Sequence, residues 1–154
     1  MLNSVLTKDH ERIDAYFNEF LLSLSSKPDI DKLDLIVSSL KNHMFWEEEY
    51  LFPEIFEENK LRIHGLEAEH GAILKLLDEA KRLISLNELD DAKKKTQGVM
   101  RILKGHNEAE EGYVYLELDK LPSEKQAELL LKEVEHAFAP KGWICKVLRS
   151  GSFK

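Results

Sequence analysis

The chain repeats itself, and the repeat falls on residues of metal-binding type. Leu40-Lys41-Asn42-His43 is followed by Glu47 and then by Glu48-Glu49-Tyr50. Leu103-Lys104-Gly105-His106 is followed by Glu110 and then by Glu111-Gly112-Tyr113. A second pair of segments, Asp9-His10 to Ile13 and Glu69-His70 to Ile73, matches in the same way. Each half of the chain therefore reads as a His and, one helix further on, His-x-x-x-Glu. Positions i and i+4 lie on one face of an α-helix, a turn apart, so each His-x-x-x-Glu offers an imidazole and a carboxylate side by side. One such pair carries little weight in a Glu-rich chain. A repeat with ligand-type residues at its matching places implies a pseudo-symmetric site built from both halves.

The apolar residues recur at helical period around these positions. The first stripe is Leu2, Leu6, His10, Ile13, Phe17, Phe20/Leu21 and Leu24, and it ends at Ser25-Ser26-Lys27-Pro28, with Asp29 placed to cap the next helix. The second is Leu33, Ile36/Val37, Leu40, His43, Glu47 and Leu51, ended or kinked at Pro53. The third is Ile63, Leu66, His70, Ile73, Leu77, Ala80 and Ile84, beginning near Leu61. The fourth, after a turn around Leu86 to Leu89, is Ala92, Thr96, Val99, Leu103, His106, Glu110 and Tyr113/Val114. Ser123 is placed to cap a fifth, shorter helix reaching about Phe138, and Pro140 and Gly142 open an irregular tail. The expected fold is all-α: an up-down-up-down four-helix bundle over about residues 2–117, with a C-terminal helix and tail over about 122–154, in a single domain.

Composition narrows the function. A formal net charge of −7 without a basic cluster argues against nucleic acid as a partner. No apolar run reaches the roughly 20 residues that span a bilayer, and no signal peptide is recognised, so the expected location is cytoplasmic and away from membranes. A single cysteine, Cys145, leaves neither an intrachain disulfide framework nor a thiolate metal cage. No nucleophile motif and no Gly-rich phosphate loop occurs, which sets aside hydrolases and nucleotide enzymes.

For one His on an apolar face, a hydrogen-bonded core histidine is the ordinary explanation. Two carboxylates in core stripes need more, because desolvating a carboxylate costs several kcal/mol unless it is paired or metal-bound. Lys41 and Lys104 precede the histidines but point to other faces, so neither stripe supplies a counter-ion. Four imidazoles, two carboxylates and no thiolate favour iron, with manganese the other candidate of this ligand class. Six donors fit two ions, His10 with His43 and His70 with His106, sharing Glu47 and Glu110.

This pattern resembles the hemerythrin-like, or HHE cation-binding, domain over roughly residues 1–117. His10, His43/Glu47, His70 and His106/Glu110 match its signature one by one, and Leu51-Phe52-Pro53 is also typical. The resemblance implies an oxo- or hydroxo-bridged non-haem di-iron centre that binds or senses oxygen, nitric oxide or peroxide. Oxygen-carrying members have a further His where this chain has Leu74, and an Asp five residues after the fourth-helix His, where this chain has Glu111. The shift away from an all-imidazole second iron keeps a redox enzyme (peroxidase, oxidase or nitric oxide reductase type) and an iron-responsive or iron-handling module as alternatives. Whether the chain is an enzyme stays open, and no protein partner is indicated.

Several other residues have two readings. Glu67 is a third carboxylate on the His70 face, or a solvated carboxylate, the reading preferred here. Tyr50 and Tyr113, each seven residues after a ligand His, are core residues by preference, or hydroxyls that touch a bridging carboxylate. His64 and His136 read as surface histidines, Phe45 and Trp46 as packing. Trp143-Ile144-Cys145 reads as an apolar latch.

Overall fold

A computed structural model describes residues 2–121 and 124–149; Ser123, the expected cap, lies outside the described residues. The elements in order are α1 (Leu2–Ser23), α2 (Ile30–Trp46), a π-helical segment (Glu47–Leu51) and α3 (Phe52–Ile55). Then come α4 (Lys60–Ser85), α5 (Leu89–Ala109), a second π-helical segment (Glu110–Val114) and α6 (Tyr115–Asp119), followed by α7 (Glu124–His136) and α8 (Lys146–Arg149). This is the all-α bundle that the stripes imply: α1, α2 to α3, α4 and α5 to α6 are its four rods.

Local chemistry sets the rod ends. Asp29 accepts a hydrogen bond from the Lys32 N–H at 3.0 Å and caps α2. Asn87 takes φ 57° after α4, a conformation Asn tolerates better than most residues, and the Glu88 N–H then reaches back to Leu83 O at 2.9 Å. α1 packs on α2 and α4 on α5, and the core residues show that the rods run antiparallel. Leu24 of α1, Leu33 of α2, Leu77 of α4 and Val99 of α5 share one apolar cluster. Leu2, Leu51, Ile63 and Val114 share another at the opposite end.

Between the two clusters the interior turns polar. Asp9, His10, His43, Glu47, Glu48, His70, His106, Asn107 and Glu110 are all buried there. The C-terminal segment folds back on α2: the Trp46 indole donates to Ala137 O at 2.7 Å, and Trp143 meets Phe45 edge-on at 5.7 Å. Cys145 is fully buried in the first cluster, while Ile144 is exposed, so the latch is Trp143 and Cys145 rather than all three residues. Among the described residues no helix is long and apolar enough to cross a membrane.

Candidate metal centre

Each rod brings its donors to the polar layer. α1 supplies His10; α2 with the first π segment supplies His43 and Glu47; α4 supplies His70; α5 with the second π segment supplies His106 and Glu110. All six side chains come together, and Glu47, His70 and Glu110 have no solvent exposure at all. They fall into two groups of converging donor atoms: His10, His43, Glu47 and Glu110, and Glu47, His70, His106 and Glu110. Glu47 places Oε2 3.4 Å from His43 Nε2 and Oε1 3.1 Å from His70 Nε2, so one carboxylate spans both groups. Glu110 Oε1 lies 3.2 Å from His10 Nε2 and 3.3 Å from His106 Nε2.

The far nitrogen of every imidazole is held by a second carboxylate. His43 Nδ1 meets Asp9 at 2.7 Å and His106 Nδ1 meets Glu69 at 3.2 Å. His70 Nδ1 meets Glu48 at 2.7 Å and His10 Nδ1 meets Glu111 at 2.9 Å. Asp9 and Glu69 precede matching histidines, and Glu48 and Glu111 follow matching glutamates, so these four contacts obey the internal repeat. A proton fixed on Nδ1 by a carboxylate leaves Nε2 as a lone pair aimed inward, the arrangement metal-binding histidines use. Sequence reading passed over Asp9, Glu48 and Glu69 in this role, although their matching positions were a visible signal. Glu111 acts on His10 and not as an additional inward donor.

Two further placements differ from expectation. Glu67 is buried rather than solvated, and it lies outside both donor groups, 3.8 Å from His64 Nδ1 and 3.9 Å from Lys146 Nζ. Burial raises its pKa. Tyr113 is 57 % exposed, under the Arg62 guanidinium, whereas Tyr115 is fully buried. The π segment is the cause. Its i→i+5 bonding, seen in the Tyr115 N–H to Glu110 O contact, carries one extra residue around the axis and turns residue 115 inward. The Tyr115 hydroxyl donates to Glu47 Oε2 at 2.8 Å. Tyr50 is half-buried against Phe45, as a packing residue, and His64 and His136 stay outside the polar layer.

The electrostatics favour positive charge at this place. Burial alone would lower the pKa of His43, but the Glu47 carboxylate and the Asp9 hydrogen bond outweigh it and push it up to about 10. Burial opposes the charged form of His106 as well, yet Glu110 holds its pKa well above the usual range. Burial likewise works against Glu47, and His43 nevertheless holds it well below the carboxylate range. Burial, Glu110 and Glu47 together keep the Tyr115 hydroxyl protonated well beyond its ordinary pH. The donor set fits a cation on geometry too. His10 Nε2 and His43 Nε2 face each other at 3.0 Å, although both Nδ1 atoms already have carboxylate partners. Glu110 Oε2 and Asn107 Oδ1 are buried without a hydrogen-bond partner. Lone pairs crowded in this way need protons or a metal between them.

A four-helix bundle with two carboxylate-linked histidine groups at mid-height defines a cation-binding protein. The chain belongs to the hemerythrin family: the hemerythrin HHE cation binding domain matches residues 1–118. Comparison with curated proteins and with solved structures returns no match.

Proposed function

We propose that the chain holds two iron ions, one at His10 and His43 and one at His70 and His106, with Glu47 and Glu110 shared, and that this pair binds a small diatomic ligand or peroxide for sensing, scavenging or transport. The observation that carries the reading is Glu47, which is fully buried, gives one oxygen to each group, and has imidazoles for its charged partners. Imidazole nitrogen and carboxylate oxygen without thiolate suit iron, and manganese is the metal to test beside it. Bound iron supplies a redox-active centre at which a small molecule can be held. The chain itself supplies the selection. The cavity among the donors measures about 10 Å³ and is roofed by Ile13, Leu40, Met44 and Leu103, so it suits a guest near the size of one water and shields it from solvent.

A redox enzyme is the second reading, and one placement favours it. Leu74, at the position of the further imidazole of oxygen carriers, lines a groove with Cys145 and Leu148 rather than the donor cavity. The His70 and His106 position thus gains no further nitrogen from α4.

The deciding experiment loads the protein with ferrous iron under anaerobic conditions and counts metal per chain. Visible spectra then follow before oxygen, after oxygen and after its removal. Two irons and bands that come and go support reversible binding. Bands that persist support redox turnover, and a reductant-dependent assay with oxygen, peroxide or nitric oxide follows. Failure to hold two irons overturns the proposed centre.

A further inference from the structure

One fully buried hydroxyl stands in the middle of the donors without a place in the six-ligand scheme. Tyr115 Oη is 2.8 Å from Glu47 Oε2, 3.1 Å from Glu110 Oε1, 2.9 Å from His10 Nε2 and 2.9 Å from His43 Nε2. Those four residues are the whole of the first donor group. We propose that Tyr115 is a fifth protein ligand of the metal held by His10 and His43, bound through its phenolate oxygen. The inference rests on the iron-binding reading above.

Hydrogen bonding alone leaves the arrangement unexplained. A phenol has one proton to donate. Here it faces two carboxylate oxygens and two imidazole nitrogens, and with Nδ1 of both rings turned to Glu111 and Asp9 the two Nε2 atoms are lone-pair donors as well. One proton satisfies one of these four neighbours. A cation among the five atoms satisfies all of them. As the oxygen–metal bond forms, the O–H bond breaks and the proton leaves to solvent, and no oxidation state changes. A metal ion reverses the field that keeps the hydroxyl protonated, because its charge exceeds that of either carboxylate. Phenolate oxygen is a hard ligand suited to ferric iron, and tyrosine serves as an iron ligand in other protein settings.

The assignment is specific to one half. By the repeat, the counterpart of Tyr115 is Phe52, likewise buried at the end of a π segment. Its ring stacks on His70 with centroids 6.0 Å apart, where the Tyr115 ring lies 5.5 Å from His10. Phe52 has no oxygen to give. The His10–His43 position therefore carries five protein donors and the His70–His106 position four, which makes the second the open one.

Ferric phenolates absorb visible light by ligand-to-metal charge transfer, and excitation in that band enhances the phenolate ring vibrations. The test loads the full chain with iron, oxidises it in air, counts iron per chain and records visible resonance Raman spectra. Phenolate modes that are present in the wild type, vanish in Tyr115→Phe and survive in a triple variant with Tyr16→Phe, Tyr50→Phe and Tyr113→Phe are the expected result. In the triple variant Tyr115 is the chain's remaining tyrosine, so its spectrum decides the matter even if Tyr115→Phe folds poorly. An iron-loaded chain without phenolate modes, or with modes that persist in Tyr115→Phe, overturns the assignment and leaves the iron centre standing. One iron per chain with Tyr115-dependent modes supports the assignment while overturning the two-ion reading. No iron at all overturns both.

Discussion

The two halves of the centre follow one plan and differ in what covers it. In the first, His10 and His43 are oriented by Glu111 and Asp9, and a tyrosine hydroxyl sits among the inward donors. In the second, His70 and His106 are oriented by Glu48 and Glu69, and the ring at the matching place is Phe52. The supports differ as well. Glu48 is buried, and its second oxygen accepts the backbone N–H of Lys146 at 2.8 Å, so the C-terminal segment fastens His70 from behind. The Glu111 side chain is 38 % exposed and faces a surface cleft. The first half is thus rich in donors and lightly covered, and the second is poor in donors and rigidly held. A repeat supplies symmetric ligands, and the two sites become chemically distinct through a few residues that depart from it.

The largest effect should come from removing one inward imidazole. His43→Ala and His106→Ala should each lose bound metal and destabilise the protein by about 3–5 kcal/mol, because buried carboxylates keep their charge while losing a partner. Metal analysis and denaturant unfolding check this, and a variant that still holds two irons would show that the ligand set is wrong. Next comes a change that makes the halves alike. Phe52→Tyr adds a hydroxyl beside His70 and should cost about 1–3 kcal/mol through overpacking. In the ferric protein it should add a second phenolate signal, and an unchanged Raman spectrum would mean that the two halves differ by more than this oxygen.

The supporting carboxylates separate the halves more finely. Glu48→Gln should weaken metal binding about 10–100-fold, the usual range for such partners. Glu111→Gln should weaken it less, since water has access to His10 Nδ1 once the carboxylate charge is gone. Competition with a chelator measures both, and equal losses would remove the contrast between a buried and an exposed support. The smallest effect belongs to Lys146→Pro, which deletes the N–H that Glu48 accepts at the first residue of α8 while keeping a helix-compatible backbone. It should cost about 1 kcal/mol of stability, with the His10–His43 site unaltered, and a larger loss of metal from that site would show the segment to act on the whole centre.

The sequence by itself determined the four rods and the donors they carry. Periodicity, Asp29, the turn at Leu86 to Leu89 and Pro53 are local signals, and His-x-x-x-Glu places its two donors on one face through helix geometry alone. That determination extends as far as the 3.6-residue period does. It failed one turn beyond Glu110, where a steady period points Tyr113 and Val114 inward and the π segment brings in Tyr115 instead, leaving Tyr113 at the surface. The contacts of Asp9 with His43, Glu69 with His106, Glu48 with His70 and Glu111 with His10 were equally out of reach, although the repeat marked the residues. Each joins side chains on different rods, and such a pairing depends on how far one helix is rotated against its neighbour. Bonding within a helix fixes what lies four residues away. Packing between helices fixes which face turns toward which partner, and only the assembled bundle decided that.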